Sequence, residues 1–179
     1  MSVTLLIGGL VIPAAVLLVD LGRRRLTRMR ILRPFLGAII VPFVMPGFDL
    51  HGTGLLLEVA SCAAGILLGL LAATAMRVER DEKLGSVVTV AGAPYAAIWL
   101  VVAAGRLLFT YETEHSASFG RAVGTFLVSN HISVTALADS FMFIGFAMLL
   151  AHRGTLFFRG RQAAAHTPTE PVVHSLGAA

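Results

Sequence analysis

Three ionisable side chains fall inside apolar stretches of the chain: Glu58, Arg106 and Asp139. An isolated charge is costly in hydrocarbon, so such residues face the interior of a helix bundle, find partners there, and often mark ion or proton pathways. An arginine placed between two carboxylates supports two kinds of chemistry. It can fix helix register as a structural ion pair, or hold a carboxylate beside it poised to exchange protons. Arg106–Asp139 is the pairing expected first and Arg106–Glu58 the second.

Other polar groups collect near this trio. His131, Thr135 and Asp139 stand at i, i+4 and i+8, a stripe along one helix face, with Asn130 beside its start. His51 follows the second of five apolar stretches, and Tyr111, Glu112, Glu114 and His115 follow the fourth. Each has a plainer role: the histidines as interfacial residues, and Thr135 bonding its own helix backbone. His51, His115 and His131 are nowhere three or four residues apart, so they match no close metal-ligand motif and no metal is expected. The single cysteine, Cys62, lies one turn beyond Glu58. It can form no disulfide within the chain and cannot by itself be a two-cysteine carrier, so it reads as a small packing residue.

Five apolar stretches must position these groups, at about 3–19, 34–48, 54–76, 84–109 and 132–151. Roughly 20 helical residues cross a hydrocarbon core of about 30 Å. The last three stretches meet that length. The first barely does and carries Pro13, while the second is short and holds Pro42 and Pro46 in its outer half. Arg23, Arg24, Arg25, Arg28, Arg30 and Arg33 follow the first stretch, Arg77, Arg80 and Lys83 the third, and Arg153, Arg159 and Arg161 the fifth. Basic loops stay cytoplasmic. The alternation therefore predicts an all-α integral membrane bundle of five transmembrane helices, N-terminus outside and C-terminus cytoplasmic. A re-entrant second stretch would carry Arg77, Arg80 and Lys83 outside, against that rule. The first stretch has its arginines after it rather than before it, the charge order of a retained anchor and not of a cleaved signal.

The topology sets depths. At 1.5 Å per residue, Glu58 lies about 6 Å and Arg106 about 5 Å from the outer ends of their helices, and Asp139 roughly 10 to 12 Å in. All three, with His51, His115 and His131, fall toward the extracytoplasmic side. His152, His166 and His174 fall on the cytoplasmic side and read as incidental, and Trp99 reads as a packing residue. Gly65 and Gly69 form a GxxxG pair that lets helices approach closely, within the chain rather than between copies. In the outer loop Phe119, Ala122, Val123, Phe126 and Leu127 recur on one face, with Ser116, Arg121, Thr125 and Ser129 on the other. That pattern predicts a short amphipathic helix, lying on the headgroups or packed over the bundle ends. Residues 1–161 form one transmembrane domain, and 162–179 read as a disordered cytoplasmic tail.

The composition narrows the function classes. Hydrophobic residues make up 56% of the chain and charged ones 13%, with a mean hydropathy of +0.83, a membrane composition that places the protein as a multi-pass chain in the plasma membrane. The net charge of +4 is accounted for by topology. Its partner is the lipid bilayer with its anionic headgroups, not nucleic acid. No Walker loop, dinucleotide glycine pattern, CxxC, HExxH or serine elbow is present, so a soluble-type enzyme is excluded. Three readings compete. The first is a small accessory or structural membrane protein, contacting a membrane-protein partner or forming a homo-oligomer. The second is a proton-coupled transport component using Glu58 and Asp139 beside Arg106. The third is a membrane redox or lipid-processing enzyme using the outer His/Asp/Glu/Arg set. A haem or quinone cofactor enters only with that third reading. Five helices without an internal repeat argue against an autonomous secondary transporter.

The stretch Trp99-Leu-Val-Val-Ala-Ala-Gly-Arg-Leu-Leu-Phe109, a helix with an arginine near its outer end, resembles small actinobacterial membrane proteins of the CcdC-like kind. So does His131 through Ala151, with Asp139-Ser-Phe-Met-Phe-Ile-Gly. The resemblance covers much of the chain in hydropathy. It implies a role near extracytoplasmic thiol or haem handling, in which a partner would have to supply the cysteine pair.

Overall fold

The computed structural model describes residues 14, 16–25, 35, 52–81 and 86–165. A helical segment, 16–20, leads into strand β1 (Gly22–Arg25). Helix α1 (Gly52–Thr74) follows, then β2 (Met76–Asp81), β3 (Ser86–Ala91), α2 (Ala93–His115), α3 (Ala117–Ser129) and α4 (Val134–Ala165). By length and composition α1, α2 and α4 can each cross a membrane. The expected second stretch (with Pro42 and Pro46), most of the first, and His51 lie outside the described residues.

The α1–α4 pair forms the spine of the bundle. Buried positions of α1 include Gly54, Glu58, Ser61, Gly65, Gly69 and Ala72, spaced by three or four residues and therefore on one face. A Cβ on Gly65 would come within 2.8 Å of the Ala147 Cβ, and one on Gly69 within 2.9 Å of the Ala151 Cβ. The two helix backbones approach as closely as they do because these positions carry no side chain.

The sheet departs from the all-α expectation. It is antiparallel throughout, in the order β1-β3-β2. Val90 of β3 lies between Arg23 and Arg77, and Thr89 between Arg24 and Val78. The stretch Ser86-Val-Val-Thr-Val-Ala91 is apolar and lies in the fourth expected span, yet it forms β3. Its β-branched run favours a strand instead. Pro94 then occupies the first turn of α2 after Gly92, where a missing N–H costs nothing. The arginine-bearing segments expected as loops fall in strands at 22–25 and 77–81, and Met76, expected to end the third apolar stretch, opens β2. Arg23 reaches Asp81 at 3.1 Å, with Arg23 largely exposed, a contact that contributes about 0–1 kcal/mol.

Helix ends also differ from the expected ones. α2 continues past Phe109 to His115. α4 begins at Val134, where Ser133 Oγ accepts the Ala136 N–H at 3.0 Å as an N-cap, and runs 14 residues beyond Ala151, the last residue of the apolar stretch. Hydropathy marks where a span ends, not where the helix does. At 32 residues α4 is about 48 Å long, well beyond a core of about 30 Å. Residues 162–165, expected in the tail, are its last turn. Arg159 of α4 donates through Nη1 to the carbonyls of Ala73 at 2.6 Å and Met76 at 3.1 Å, closing the end of α1 and the start of β2. α3 is the short helix expected from its pattern, with Ser116 as its N-cap. Leu127 is its buried residue, and Phe119 stacks edge-on against Phe109 of α2.

Candidate functional site: a buried Asp–Tyr–His–Arg cluster

The most completely buried polar groups gather at the sheet end of the bundle. Asp20 closes the 16–20 helical segment just before β1. Tyr95 sits in the first turn of α2, where Pro94 starts the helix, and Trp99 stands one turn further on the same face. His152 and Arg153 lie on α4. Asp20 is 1% exposed, and Tyr95 and His152 are fully buried. Around them pack Val16, Ala72, Met76, Ala91, Met148 and Leu156.

Asp20 is the hub. Its Oδ2 accepts from Arg153 Nη2 at 2.8 Å, a short charge-assisted bond, and from the Tyr95 hydroxyl at 2.9 Å. His152 Nε2 lies 3.5 Å from the Tyr95 oxygen and 3.8 Å from Asp20 Oδ2. The Tyr95 and His152 rings are 5.3 Å apart, and Trp99 stands edge-on to His152 at 6.4 Å.

These partners favour one tautomer of His152. The Tyr95 hydroxyl donates its hydrogen bond to Asp20, so both oxygens facing Nε2 are free to accept, which suits a hydrogen on Nε2. Arg153 and Asp20 already cancel in charge, so a neutral imidazole balances the cluster and Nδ1 carries a lone pair. His152 Nδ1, Trp99 Nε1 and Arg153 Nε are buried and have no hydrogen-bond partner. Trp99 Nε1 approaches the Tyr95 hydroxyl without closing a hydrogen bond to it. Leaving such a group unmatched costs about 1–3 kcal/mol. The cluster can therefore clamp the first helical segment to α2 and α4, and it presents a contiguous carboxylate–phenol–imidazole series.

The residues singled out from sequence are placed elsewhere. At 1.5 Å per residue Arg106 is about 16 Å along α2 from Tyr95. Its guanidinium lies 6.0 Å above the Phe141 ring, and among the described residues no ion pair joins it to Asp139. Asp139 is half-buried and Thr135 exposed on α4. His131 is not on that helix at all: it lies in the preceding turn with φ 53°, so the expected stripe is broken where Ser133 starts α4. Thr53 donates to the Asn130 carbonyl, tying that turn to the start of α1. His115 is exposed, its Nδ1 3.0 Å from the Tyr111 carbonyl and its ring stacked on Tyr111. Glu58 is buried on the packed face of α1, and Cys62, half-buried, is a free thiol. Among the described residues no group of three or more His, Cys, Asp or Glu could hold a metal ion.

His152, expected to be incidental, and Arg153, expected only to mark topology, are both central here. Asp20 is not among the sequence-predicted site residues. Its signal was present: it is the one acid before Asp49, at the border of an apolar run and followed by six arginines. No family model, no curated protein and no solved structure matches the chain.

Proposed function

We propose that the chain is a five-span plasma-membrane protein, N-terminus outside and C-terminus cytoplasmic, with an accessory or structural role. One observation carries this reading: the arginines collect at one end of the bundle. Arg23, Arg24 and Arg25 lie on β1, Arg77 and Arg80 on β2, and Arg153, Arg159 and Arg161 on the far part of α4. That is the distribution the positive-inside rule requires of the cytoplasmic face, where anionic lipids meet basic segments. The cluster at the same end holds elements together through a matched ion pair, which suits a scaffold. A membrane-protein partner or a second copy is what such a scaffold would serve. The resemblance to CcdC-like proteins would set it beside extracytoplasmic thiol or haem chemistry performed by a partner.

Reporter fusions test the topology. Fusions after Arg25, Asp81 and Gln162 should report the cytoplasm, and one after Ser116 the outside; an external signal at either strand would overturn it. The accessory role is tested by replacing Tyr95 with Phe and His152 with Gln. Both variants should fold and insert without loss of any turnover or ion flux by the purified protein.

A proton-coupled transport component is the second reading, favoured by the contiguous Asp20–Tyr95–His152 series. Proteoliposomes with an internal pH dye separate the two. A proton flux abolished by His152→Gln in a folded protein would replace the accessory reading with this one.

A further inference from the structure

We propose that Arg106 binds the phosphodiester of a phospholipid, in the leaflet at the α3 end of the bundle. The inference goes beyond the accessory reading and rests only on α2 crossing a bilayer, which its length and composition allow. Tyr95, Trp99, Ala103, Arg106, Thr110 and Thr113 are spaced by three or four residues and so share one face of α2. Burial falls steadily along that face. Tyr95 is fully buried, Trp99 is 3% and Ala103 9% exposed, whereas Arg106, Thr110 and Thr113 are each half-buried. The face that is closed at the sheet end is therefore partly open at the level of Arg106.

The guanidinium stands 6.0 Å above the Phe141 ring and makes no hydrogen bond or ion pair among the described residues. Asp139 is the only acid of α4. Two residues from Phe141, it lies about 200° around the helix, away from the ring that Arg106 covers. Stacking occupies the flat face of a guanidinium, while its five N–H donors lie in the plane and stay available. A cation with unmatched donors is costly in hydrocarbon. A lipid ester carbonyl would take one donor and leave the charge. Two phosphodiester oxygens match the edge of the fork and cancel the charge as well. Phe141 lies seven residues into α4, about 10 Å from its start, and Arg106 nine residues before the end of α2, about 14 Å. Both distances put the guanidinium below phosphate level, within what the reach of a long side chain and local thinning of the bilayer can close. A free anion would have to leave water to come so deep, whereas a lipid already holds its phosphate at the rim.

The test is thermal unfolding of the full-length protein in a neutral detergent. It is titrated separately with phosphatidylglycerol, with diacylglycerol of the same chains, and with inorganic phosphate. A ligand of the folded state raises the unfolding midpoint according to its occupancy, and only phosphatidylglycerol should raise it. Arg106→Gln should need about tenfold more of that lipid for the same rise, the loss of a charge-assisted bond. Arg106→Lys keeps the charge but not the fork and should need about threefold more. The double variant Arg77→Gln with Arg80→Gln removes attraction by the basic strands and should leave the dependence on Arg106 in place. A response of Arg106→Gln equal to the wild type overturns the proposal; where that variant does not fold, an undiminished response of Arg106→Lys does so. Equal stabilisation by diacylglycerol would show that chains rather than phosphate are recognised, and stabilisation by inorganic phosphate a free-anion site. Either result overturns the lipid phosphodiester, as does the absence of any rise with phosphatidylglycerol. The reporter fusions read topology separately, so failure here leaves that reading standing.

Discussion

Arg153 and Asp20 meet at 2.8 Å with both side chains buried, joining α4 to the segment that enters β1. Taking two charges out of water carries a desolvation penalty that such a bond offsets only in good geometry, whereas removing one partner leaves the other charge stranded. Asp20→Ala should therefore destabilise the protein by about 3–5 kcal/mol. The double replacement Asp20→Leu with Arg153→Met should recover most of that loss. Equilibrium unfolding of the wild type, Asp20→Ala, Arg153→Met and the double variant in detergent measures it, and a double variant as unstable as the worse single one would show that the pair is not the clamp.

Tyr95→Phe removes the second donor to Asp20 and the acceptor nearest His152 Nε2 while keeping the buried ring. A neutral hydrogen bond of this kind contributes about 1 kcal/mol, and more where its partner is charged. The expected loss is about 1.5–3 kcal/mol, smaller than that of Asp20→Ala because the Arg153 bond survives. A loss equal to that of Asp20→Ala would mean that the phenol, not the arginine, anchors the carboxylate.

At Gly65 an added methyl would meet the Ile144 carbonyl oxygen at 2.5 Å as well as the Ala147 side chain. Backbone cannot turn aside, so Gly65→Ala should force α1 away from α4 and cost about 1–3 kcal/mol. Ala147→Gly should not rescue it, since the carbonyl remains. Gly105, whose Cβ would meet nothing within 4 Å, supplies the control: Gly105→Ala should be neutral or slightly stabilising. Thermal unfolding of the three variants decides the matter.

How much of this was legible in the sequence depends on what each residue's neighbours could reveal. The three long apolar helices were plain, because length and hydropathy are local properties. The α3 pattern was also plain, being a local period. β3 was concealed by its own composition: Val87, Val88 and Val90 are as apolar as a helix start and differ only in branching, and nothing local shows that Arg23–Arg25 will pair with them. The cluster was harder still. Asp20, Tyr95 and His152 are 75 and 57 residues apart in successive contacts, so no spacing rule connects them. Ranking charges by depth within apolar runs favoured Arg106 and Asp139. It passed over Asp20 and His152, which sit at the borders of such runs and are buried by strands that sequence alone did not place there.

Arg159 ties the buried end of α1 to β2 by bonding the Ala73 carbonyl, which a helix end otherwise leaves unsatisfied, and the carbonyl of Met76. Arg159→Gln should cost about 1.5–3 kcal/mol, the range for hydrogen bonds to a charged group. The loss should be local as well as global. Amides of β2 should exchange faster with deuterium while those of α3, at the opposite end, keep their protection. Uniform acceleration across both would show that Arg159 supports the whole bundle rather than the α1–β2 junction.

Arg106 and Asp139 offer the sharpest contrast with the buried pair. The guanidinium rests over Phe141 and makes no ion pair with Asp139 among the described residues. Two groups that share no bond should act independently, with effects that add within about 0.5 kcal/mol. Phe141→Leu should couple to Arg106→Ala instead, by about 0.5–1 kcal/mol for a partly exposed cation over a ring and up to about 2 if the contact is dry. The cycles to measure are Arg106→Ala with Asp139→Asn, and Arg106→Ala with Phe141→Leu. Coupling above about 1 kcal/mol in the first and none in the second would restore the ion pair that the apolar setting of these charges suggests. The reverse leaves Asp20–Arg153 as the buried ion pair on which the bundle depends.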